Sequence, residues 1–335
     1  RRRPGREKHR RMILAAAAVI IGLVLLVWSA DLFVAGAASI AENLGLSPVI
    51  IGLTIVSLGT SAPEILVSIT AALAGAGELA VGNALGSNIA NIGLVLGLTV
   101  LIVPMLIRQG CVRVELPTLL LVTLGTWVLL LDGVLTRLDG LLMMGGLVLI
   151  LVQMVRAQAG NRVVQEESEE EELPHLSPLR AWLAFFAGLA LLVGSSRLLV
   201  WGATTIAAQL GVSELVIGLT IVAVGTSLPE LAATLAGALK GHTEIAIGNV
   251  IGSNLFNLLA VMSVPGVIAP LALSADVLSR DYPAMAAGTF LLAIAIYTGH
   301  RRRRAEGGYS YLGRAVGLLL TGFYALYYYA LSQSL

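Results

Sequence analysis

The sequence has few of the residues that soluble enzymes rely on. Charged residues make up 12% of its 335 positions, against about 25% in a typical soluble domain. Cys111 is the single cysteine, so an intrachain disulfide and a metal–thiolate site are both excluded. The formal net charge of +1 gives no indication of nucleic-acid binding. These shortages exclude a water-soluble enzyme, a disordered chain and a disulfide-framework protein.

Apolar residues are abundant instead, at 57% of the chain, and the mean hydropathy is +0.89. A membrane-spanning helix needs about 20 mostly apolar residues. The first apolar segment follows a basic stretch but is longer than the roughly 7–15-residue core of a signal peptide. The sequence therefore predicts an all-α polytopic membrane protein with no soluble catalytic domain. Its ten predicted spans are 12–40, 47–74, 80–105, 115–132, 139–157, 179–206, 213–239, 245–270, 282–299 and 311–331.

The chain contains an internal repeat with an offset of 166 residues. Residues 52–64 read GLTIVSLGTSAPE and residues 218–230 read GLTIVAVGTSLPE, with ten of thirteen positions identical. The same offset aligns residues 82–88 with residues 248–254. Each half holds five spans, an odd number, so the second half enters the membrane from the opposite side. Two inverted five-helix repeats are therefore predicted, an arrangement typical of secondary transporters.

An acidic linker over residues 158–178 is expected to join the two repeats, residues 12–157 and residues 179–335. The linker carries six glutamates between Glu166 and Glu172, which favours a solvated connector. A calcium-sensing loop is the alternative, but the linker lacks the alternating oxygen ligands and the central glycine of an EF-hand.

Lys and Arg residues are distributed unevenly between the loops on the two sides of the membrane. Apart from the N-terminal tail, loops after odd-numbered spans and the span ends that adjoin them carry 11 of them, and those on the alternate side carry two. This bias predicts a cytoplasmic linker and two outer termini in the inner membrane. Seven basic residues in the tail, residues 1–11, argue the reverse. We expect Met12 to be the native start, or the tail to be misassigned.

Glu64 and Glu230 lie in the middle of predicted spans 2 and 7. A carboxylate at the bilayer centre costs about 2.5–3.5 kcal/mol on insertion scales, so it marks a functional site by default. Pairing with a basic residue is the structural alternative. Arg197 is the one basic residue well inside a predicted span, and it cannot neutralise both carboxylates.

Oxygen ligands surround both glutamates in the sequence. Pro63 and Pro229 lack an N–H, so we predict breaks in spans 2 and 7 that free the carbonyls of residues 57–60 and 223–226. Serine, threonine and asparagine residues recur at equivalent positions of the two repeats, and they supply hydroxyl and amide oxygens. Oxygen-only ligands suit hard cations such as calcium and sodium. The four histidines fall in loops or tails, which disfavours zinc transport and removes the usual base of an intramembrane hydrolase.

The charge of the site favours exchange. Two carboxylates supply −2, one Ca²⁺ neutralises them, and two or three Na⁺ leave 0 or +1. Coulomb repulsion opposes simultaneous occupation by Ca²⁺ and several Na⁺ in a site of low dielectric constant, so the ions are expected to alternate. A cation channel is the alternative from a different class, because broken helices do not exclude a pore.

These motifs resemble the two alpha-repeats of the calcium/cation antiporter superfamily, in particular its sodium/calcium exchanger branch of prokaryotic type. The matching segments are 59–64 with 86–91, and 225–230 with 252–257. The resemblance implies ten helices with helices 2 and 7 broken. It also implies that spans 1 and 6 slide against the others to exchange several Na⁺ for each Ca²⁺. We expect no enzyme activity, no cofactor and a monomer in the lipid bilayer.

The resemblance assigns ligand roles by position. Glu64 and Glu230 would bind both calcium and sodium. The remaining ligands would be the hydroxyl or carbonyl oxygens of Thr60, Ser61, Thr226 and Ser227, the carbonyls of Ser57 and Ala223, and the side chains of Ser87, Asn91, Ser253 and Asn257.

Two departures from family patterns bear on the coupling ion. Potassium-dependent members carry Asp where this chain has Asn257, so the lost charge argues against potassium co-transport. Proton/calcium exchangers typically carry a glutamate in the Gly-Asn motif of span 3. Here residues 82–87 read GNALGS, without an acid. Proton/calcium antiport is therefore the alternative to sodium/calcium exchange.

Overall fold

The computed structural model describes residues 4–75, 77–107, 111–159, 176–211, 223–302 and 310–333. Helical segments represent all ten predicted spans. Those of the first half are Pro4–Leu44 (span 1), Pro48–Ile51, Gly52–Val56, Ser57–Thr60 and Ala62–Leu73 (span 2), Gly77–Ala90, Asn91–Leu96 and Gly97–Ile102 (span 3), Cys111–Glu115 and Leu116–Leu129 (span 4), and Arg137–Ala159 (span 5).

The second half repeats this order. Its segments are Pro178–Gln209 (span 6), Ala223–Thr226 and Leu228–Leu239 (span 7), Thr243–Phe256, Asn257–Val261 and Ser263–Ile268 (span 8), Val277–Asp281 and Tyr282–Arg302 (span 9), and Arg314–Gln333 (span 10). Among the described residues, six helices are individually long and apolar enough to cross a bilayer, and the bent pair of helices in span 2 makes a seventh when it is counted as one span. Linker residues 160–175 and the predicted start of span 7, residues 213–222, lie outside the described residues.

Equivalent spans end in the same way in both halves. Gly45 and Gly211 follow spans 1 and 6, with φ of 60° and 86°. Gly75 and Gly241 follow spans 2 and 7, with φ of 77° and 81°. Glycine adopts this left-handed conformation without the steric cost of a Cβ, so it stops a helix sharply. The 166-residue repeat thus sets local structure as well as composition.

Spans 1 and 6 cross closely and run antiparallel. A Cβ on Gly36 would lie 2.5 Å from the Phe185 nitrogen, and one on Gly22 would lie 3.0 Å from the Leu199 nitrogen. The residue number therefore rises along one span as it falls along the other. Because these spans occupy equivalent places in the two halves, their antiparallel directions confirm that the repeats are inverted.

Spans 3 and 8 form the centre of the protein. Their most apolar stretches are 72% and 94% buried, against 28% for spans 1 and 6. Large apolar side chains on span 1, such as Ile20, Val24 and Trp28, are more than half exposed. An outward apolar surface of this kind suits contact with lipid rather than water. The polar motifs of the repeat therefore lie on the two most enclosed helices and on their neighbours.

Two short antiparallel strand pairs join the halves, and they were not predicted from the sequence. Strand β1 (Met105–Ile107) pairs with β4 (Ser310–Leu312), and β2 (Val134–Leu135) pairs with β3 (Leu271–Ala272). The loops of β1 and β4 follow spans 3 and 9, whereas those of β2 and β3 follow spans 4 and 8. Each pair therefore joins loops that ten crossings would place on one side of the membrane.

Candidate cation site

Span 2 is broken at Ser61. The helices on either side, Gly52–Thr60 and Ala62–Leu73, meet at an angle of 51°. Ser61 leaves the helical conformation at φ −84° and ψ 2°, and the equivalent Ser227 does so in span 7 at φ −90° and ψ 5°. Proline lies two residues after each break and cannot donate to the carbonyl four residues back. Both predicted breaks are confirmed.

The carbonyls near the breaks are only partly free. The prediction that the Ser57 carbonyl is free was wrong, because it accepts the Ser61 N–H at 2.9 Å. Ser61 precedes the proline and so keeps its own donor. In span 7, the Gly225 carbonyl accepts the Ser196 hydroxyl of span 6 at 2.9 Å. Ala30 occupies the equivalent position in span 1 and has no hydroxyl to offer.

Glu64 and Glu230 each lie in the first helical turn after a break, and they are close enough for their charges to interact. They are 1% and 2% exposed, and their four carboxylate oxygens accept no hydrogen bond from the described residues. The negative charge of Glu64 repels that of Glu230, whereas the nearby hydroxyls of Thr60 and Ser61 favour the charge on Glu230. A buried carboxylate without a partner is costly, and two that repel each other are more so. A bound cation would remove both costs.

Arg197 does not neutralise the two glutamates. It is exposed on the wall of a cavity of about 260 Å³, which is bounded by spans 2, 6 and 7. Pro63, Thr226 and Pro229 from the two broken spans line the same cavity. Among the described residues, Arg197 forms no ion pair with Glu64 or Glu230. The cavity therefore lies against both broken spans, and Arg197 supplies no buried counter-charge to the glutamates.

Thr60 connects span 2 to span 8. Its hydroxyl donates to Asn249 Oδ1 at 3.1 Å and lies 3.4 Å from the Ser253 hydroxyl. Asn249 in turn donates from Nδ2 to the Thr234 hydroxyl of span 7 at 2.9 Å. Asn249 is fully buried and was missed as a site residue. Its alignment with Asn83 inside the repeated Gly-Asn motif was the signal that could have identified it.

The Ser57 hydroxyl also serves the contact between spans 2 and 8. It donates to the Gly52 carbonyl at 2.5 Å and lies 3.0 Å from the Asn249 carbonyl. A Cβ on Gly252 would come within 2.2 Å of this hydroxyl oxygen, so glycine permits the approach. The carbonyl of Ser57 therefore binds the backbone of span 2, and its hydroxyl contacts the backbones of spans 2 and 8.

Asn91 and Asn257 each begin a π-helical turn, over Asn91–Leu96 and Asn257–Val261. Such turns are frequent at functional sites because they shift side chains out of helical register. Asn91 donates to Asn254 Oδ1 at 3.2 Å, and Asn88 donates to the Asn254 carbonyl at 3.2 Å. Asn91 Oδ1 and both side-chain polar atoms of Asn257 have no partner among the described residues.

The remaining predicted ligands occupy the same segments. The hydroxyls of Ser61 and Ser227 are buried without a hydrogen-bond partner in the described part of the chain. Ser87 is 6% exposed and Ser253 is fully buried, whereas Thr226 is half-buried at the cavity wall. Ala223 begins the short helix before the break in span 7. The structure thus brings Glu64, Glu230, Thr60, Ser61 and Ser253 together around one centre.

Comparison with known proteins identifies relatives over nearly the whole chain. The profile of the family described as Sodium/calcium exchanger protein matches residues 14–156 and 180–333. A protein of Alkalimonas amylolytica named as the antiporter CaxA is 51% identical, over 90% of this chain and 99% of its own. The sodium/calcium exchanger MaX1 of Methanosarcina acetivorans is 34% identical, over 86% and 93%. The structure of NCX_Mj soaked without Na⁺ and Ca²⁺ is 30% identical, with a TM-score of 0.80 over 96% of this chain and 99% of that one.

Proposed function

Because this multi-pass membrane chain belongs to the sodium/calcium exchanger family, a family of transporters and not of enzymes, we propose that it uses sodium entry to export calcium. Calcium and sodium would be bound in turn at the centre between Glu64 and Glu230. One observation carries the proposal: two buried carboxylates lie near each other, and no described residue donates a hydrogen bond to them. A transported cation is the partner that such a pair requires.

The charge of this pair explains why the ions would alternate. One Ca²⁺ brings the site from −2 to neutral, and two or three Na⁺ bring it to 0 or +1. A site holding Ca²⁺ together with several Na⁺ would carry a net positive charge away from water, where Coulomb repulsion is strong. The charge of the site is therefore sufficient to disfavour simultaneous binding of Ca²⁺ and several Na⁺.

The proposed ligands include buried oxygen atoms that lack other partners. Ser61 and Ser227 would contribute hydroxyls, and Asn91 and Asn257 would contribute amide oxygens. Hard cations take such oxygens together with carboxylates. The other members of the proposed set are Thr60, Thr226, Ser87 and Ser253, with the carbonyls of Ser57 and Ala223.

Alternating access would come from spans 1 and 6. They form a closely crossed antiparallel pair whose most apolar stretches are 28% buried, whereas those of spans 3 and 8, which would carry part of the proposed site, are 72% and 94% buried. The Ser196–Gly225 bond joins span 6 to the broken segment of span 7. A shift of span 6 would therefore act directly on the short helix that precedes the break in span 7.

Proton/calcium antiport is the second candidate. The same unpartnered carboxylates can bind protons, and the name of CaxA states antiport without an ion. For location we propose the inner membrane, in line with the 41% identical inner membrane protein YrbG of Escherichia coli. The 158–178 linker would be cytoplasmic and both termini would lie outside, as the Lys and Arg distribution indicates.

The test is ⁴⁵Ca²⁺ uptake into proteoliposomes that contain Na⁺, K⁺, choline or a proton gradient. We expect uptake only with internal Na⁺, and its loss in the Glu64→Gln and Glu230→Gln variants because each removes one of the two charges. Glu78→Gln, an exposed carboxylate in the first turn of span 3, is the control and should transport normally.

Two results would contradict the proposal. Uptake driven by protons alone would establish the second candidate. Normal sodium-driven uptake by either Gln variant would remove Glu64 and Glu230 from the site. Size-exclusion profiles of each variant in detergent should match the unmodified protein, which separates loss of transport from loss of folding.

A further inference from the structure

A groove runs along span 6, where this helix meets the broken spans 2 and 7. Two neighbouring cavities of about 260 and 300 Å³ form it, and they share the wall residues Pro63, Val193 and Arg197. Trp201 lines one cavity and Phe186 lines the other, and these rings are 50% and 59% exposed. We call this surface the Arg197 groove. It opens on the apolar outer surface of the protein, which suits contact with lipid.

Arg197 is the single charged residue in the walls of either cavity. Its side chain is exposed, and it forms no ion pair or hydrogen bond within the part of the chain that the structure describes. A guanidinium keeps its charge at any physiological pH. An unpaired charge in a membrane-spanning helix is costly and indicates a binding partner. The remaining walls are mostly apolar, so that partner should be an amphiphile with a negative charge.

The inverted repeat supplies a paired counterpart of Arg197. Asp31 of span 1 aligns with Arg197 at the offset of 166 residues. Lys240 Nζ lies 3.4 Å from Asp31 Oδ1, so this carboxylate has a partner within the protein. Ala74 occupies the position equivalent to Lys240 and has no charge to offer. The second half thus neutralises the charge on span 1, whereas the first half leaves the charge on span 6 open.

The same comparison gives the depth of Arg197 in the membrane. Lys240 directly follows Leu239, the last helical residue of span 7, so its pair with Asp31 lies near the surface where span 7 ends. Inversion places Arg197 at the corresponding level near the opposite surface, where span 2 ends. A long basic side chain at this level can extend its charge to the lipid headgroups.

We propose that the Arg197 groove binds an anionic phospholipid. The phosphate would pair with the Arg197 guanidinium, which matches phosphate oxygens with two parallel hydrogen bonds. An acyl chain would lie against the apolar walls beside Trp201. A hydrated inorganic anion does not fit, because these walls would leave most of its surface without hydrogen-bond donors. The proposal requires a membrane-spanning chain and does not depend on which ions are transported.

Tryptophan fluorescence can report on the groove, because Trp201 lines it. The chain has four tryptophans, and Trp28→Phe, Trp127→Phe and Trp182→Phe leave Trp201 as the sole emitter. This variant is placed in phosphatidylcholine vesicles that contain lipids with brominated acyl chains, which quench a tryptophan on contact. Brominated phosphatidylglycerol should bind about fivefold better than brominated phosphatidylcholine, which is the effect of one basic residue on an anionic headgroup.

Matched variants assign this preference to one side chain. Arg197→Gln should abolish the preference, and Arg197→Lys should retain it because the positive charge remains. Arg180→Gln removes an exposed arginine at the start of the same helix and should have no effect. A second protein that keeps only Trp28 gives the control in the other repeat. Trp28 is 56% exposed and precedes Asp31 by three residues, so it should show no preference for the anionic lipid.

Four outcomes would overturn the proposal. They are equal quenching of Trp201 by the two brominated lipids, quenching by neither, a preference that survives Arg197→Gln, and the same preference at Trp28. Size-exclusion profiles of the variants should match that of the parent protein, so that a lost preference is not a loss of folding. Lipid binding is read without any ion gradient, so this proposal and sodium/calcium exchange can fail independently.

Discussion

Replacing Asn249 by alanine tests whether the contact between spans 2 and 8 positions the proposed cation site between Glu64 and Glu230. Asn249 is fully buried and makes two side-chain hydrogen bonds, with Thr60 at 3.1 Å and with Thr234 at 2.9 Å. Leaving a buried hydroxyl unsatisfied costs about 1–3 kcal/mol. Thr60 retains a contact with Ser253 at 3.4 Å, so the full penalty falls on Thr234. We therefore expect Asn249→Ala to lower the free energy of unfolding by about 2–3 kcal/mol.

Asn249→Ala should impair calcium binding more than the same substitution at Asn83, the aligned residue of the first repeat. Asn83 is half-buried and makes one longer bond, 3.3 Å to the Glu64 carbonyl, so Asn83→Ala should cost about 1 kcal/mol or less. Groups that orient a metal ligand typically change metal affinity about 10–100-fold. We expect a loss of calcium affinity in this range for Asn249→Ala, and a smaller one for Asn83→Ala.

Two measurements decide the outcome. Thermal unfolding in detergent gives the stability of each variant, and sodium-driven ⁴⁵Ca²⁺ uptake at varied calcium gives the apparent affinity. Equal effects of the two alanine variants would refute the reasoning, because burial and bond number would then not determine the result. Unchanged affinity in Asn249→Ala would show that Thr60 needs no support from span 8.

Two further predictions concern the crossing of spans 1 and 6 and the response to pH. Gly188→Val should destabilise the protein by about 1–3 kcal/mol and reduce transport, because a Cβ there would lie 2.6 Å from the Phe33 nitrogen. Gly86→Ala has no atom within 4 Å of its added Cβ and should melt like the unmodified protein. Acidification from about pH 8 to about pH 5 should reduce calcium uptake at low calcium, since a protonated carboxyl of Glu64 or Glu230 loses its charge. Raising calcium should restore the rate, and uptake independent of pH would contradict competition for one site.

The sequence predicted the features that depend on composition and repetition. Ten spans follow from apolar length, and inversion follows from an odd number of spans per half. The breaks follow from Pro63 and Pro229, which remove a backbone donor at a known position. Each of these inferences needs only local chemistry or counting, and the fold agrees with all three.

Contacts between distant segments could not be predicted in the same way. The strand pairs have two or three residues each, too few to show an alternating pattern, and their partners lie more than 130 residues away. The role of Asn249 depends on how spans 2, 7 and 8 meet. The prediction of a free Ser57 carbonyl was wrong for a local reason. Pro63 removes only its own N–H, so Ser61 still donates to the Ser57 carbonyl.

The pairing of strands β1 and β4 has a consequence for biosynthesis. About 200 residues separate Ile107 from Ser310, so β1 is inserted long before its partner is translated. At about 5–20 residues per second, its edge stays open for roughly 10–40 s. Exposed strand edges invite pairing with other chains. The β1–β4 connection between the two repeats can therefore form only after span 9 has been translated.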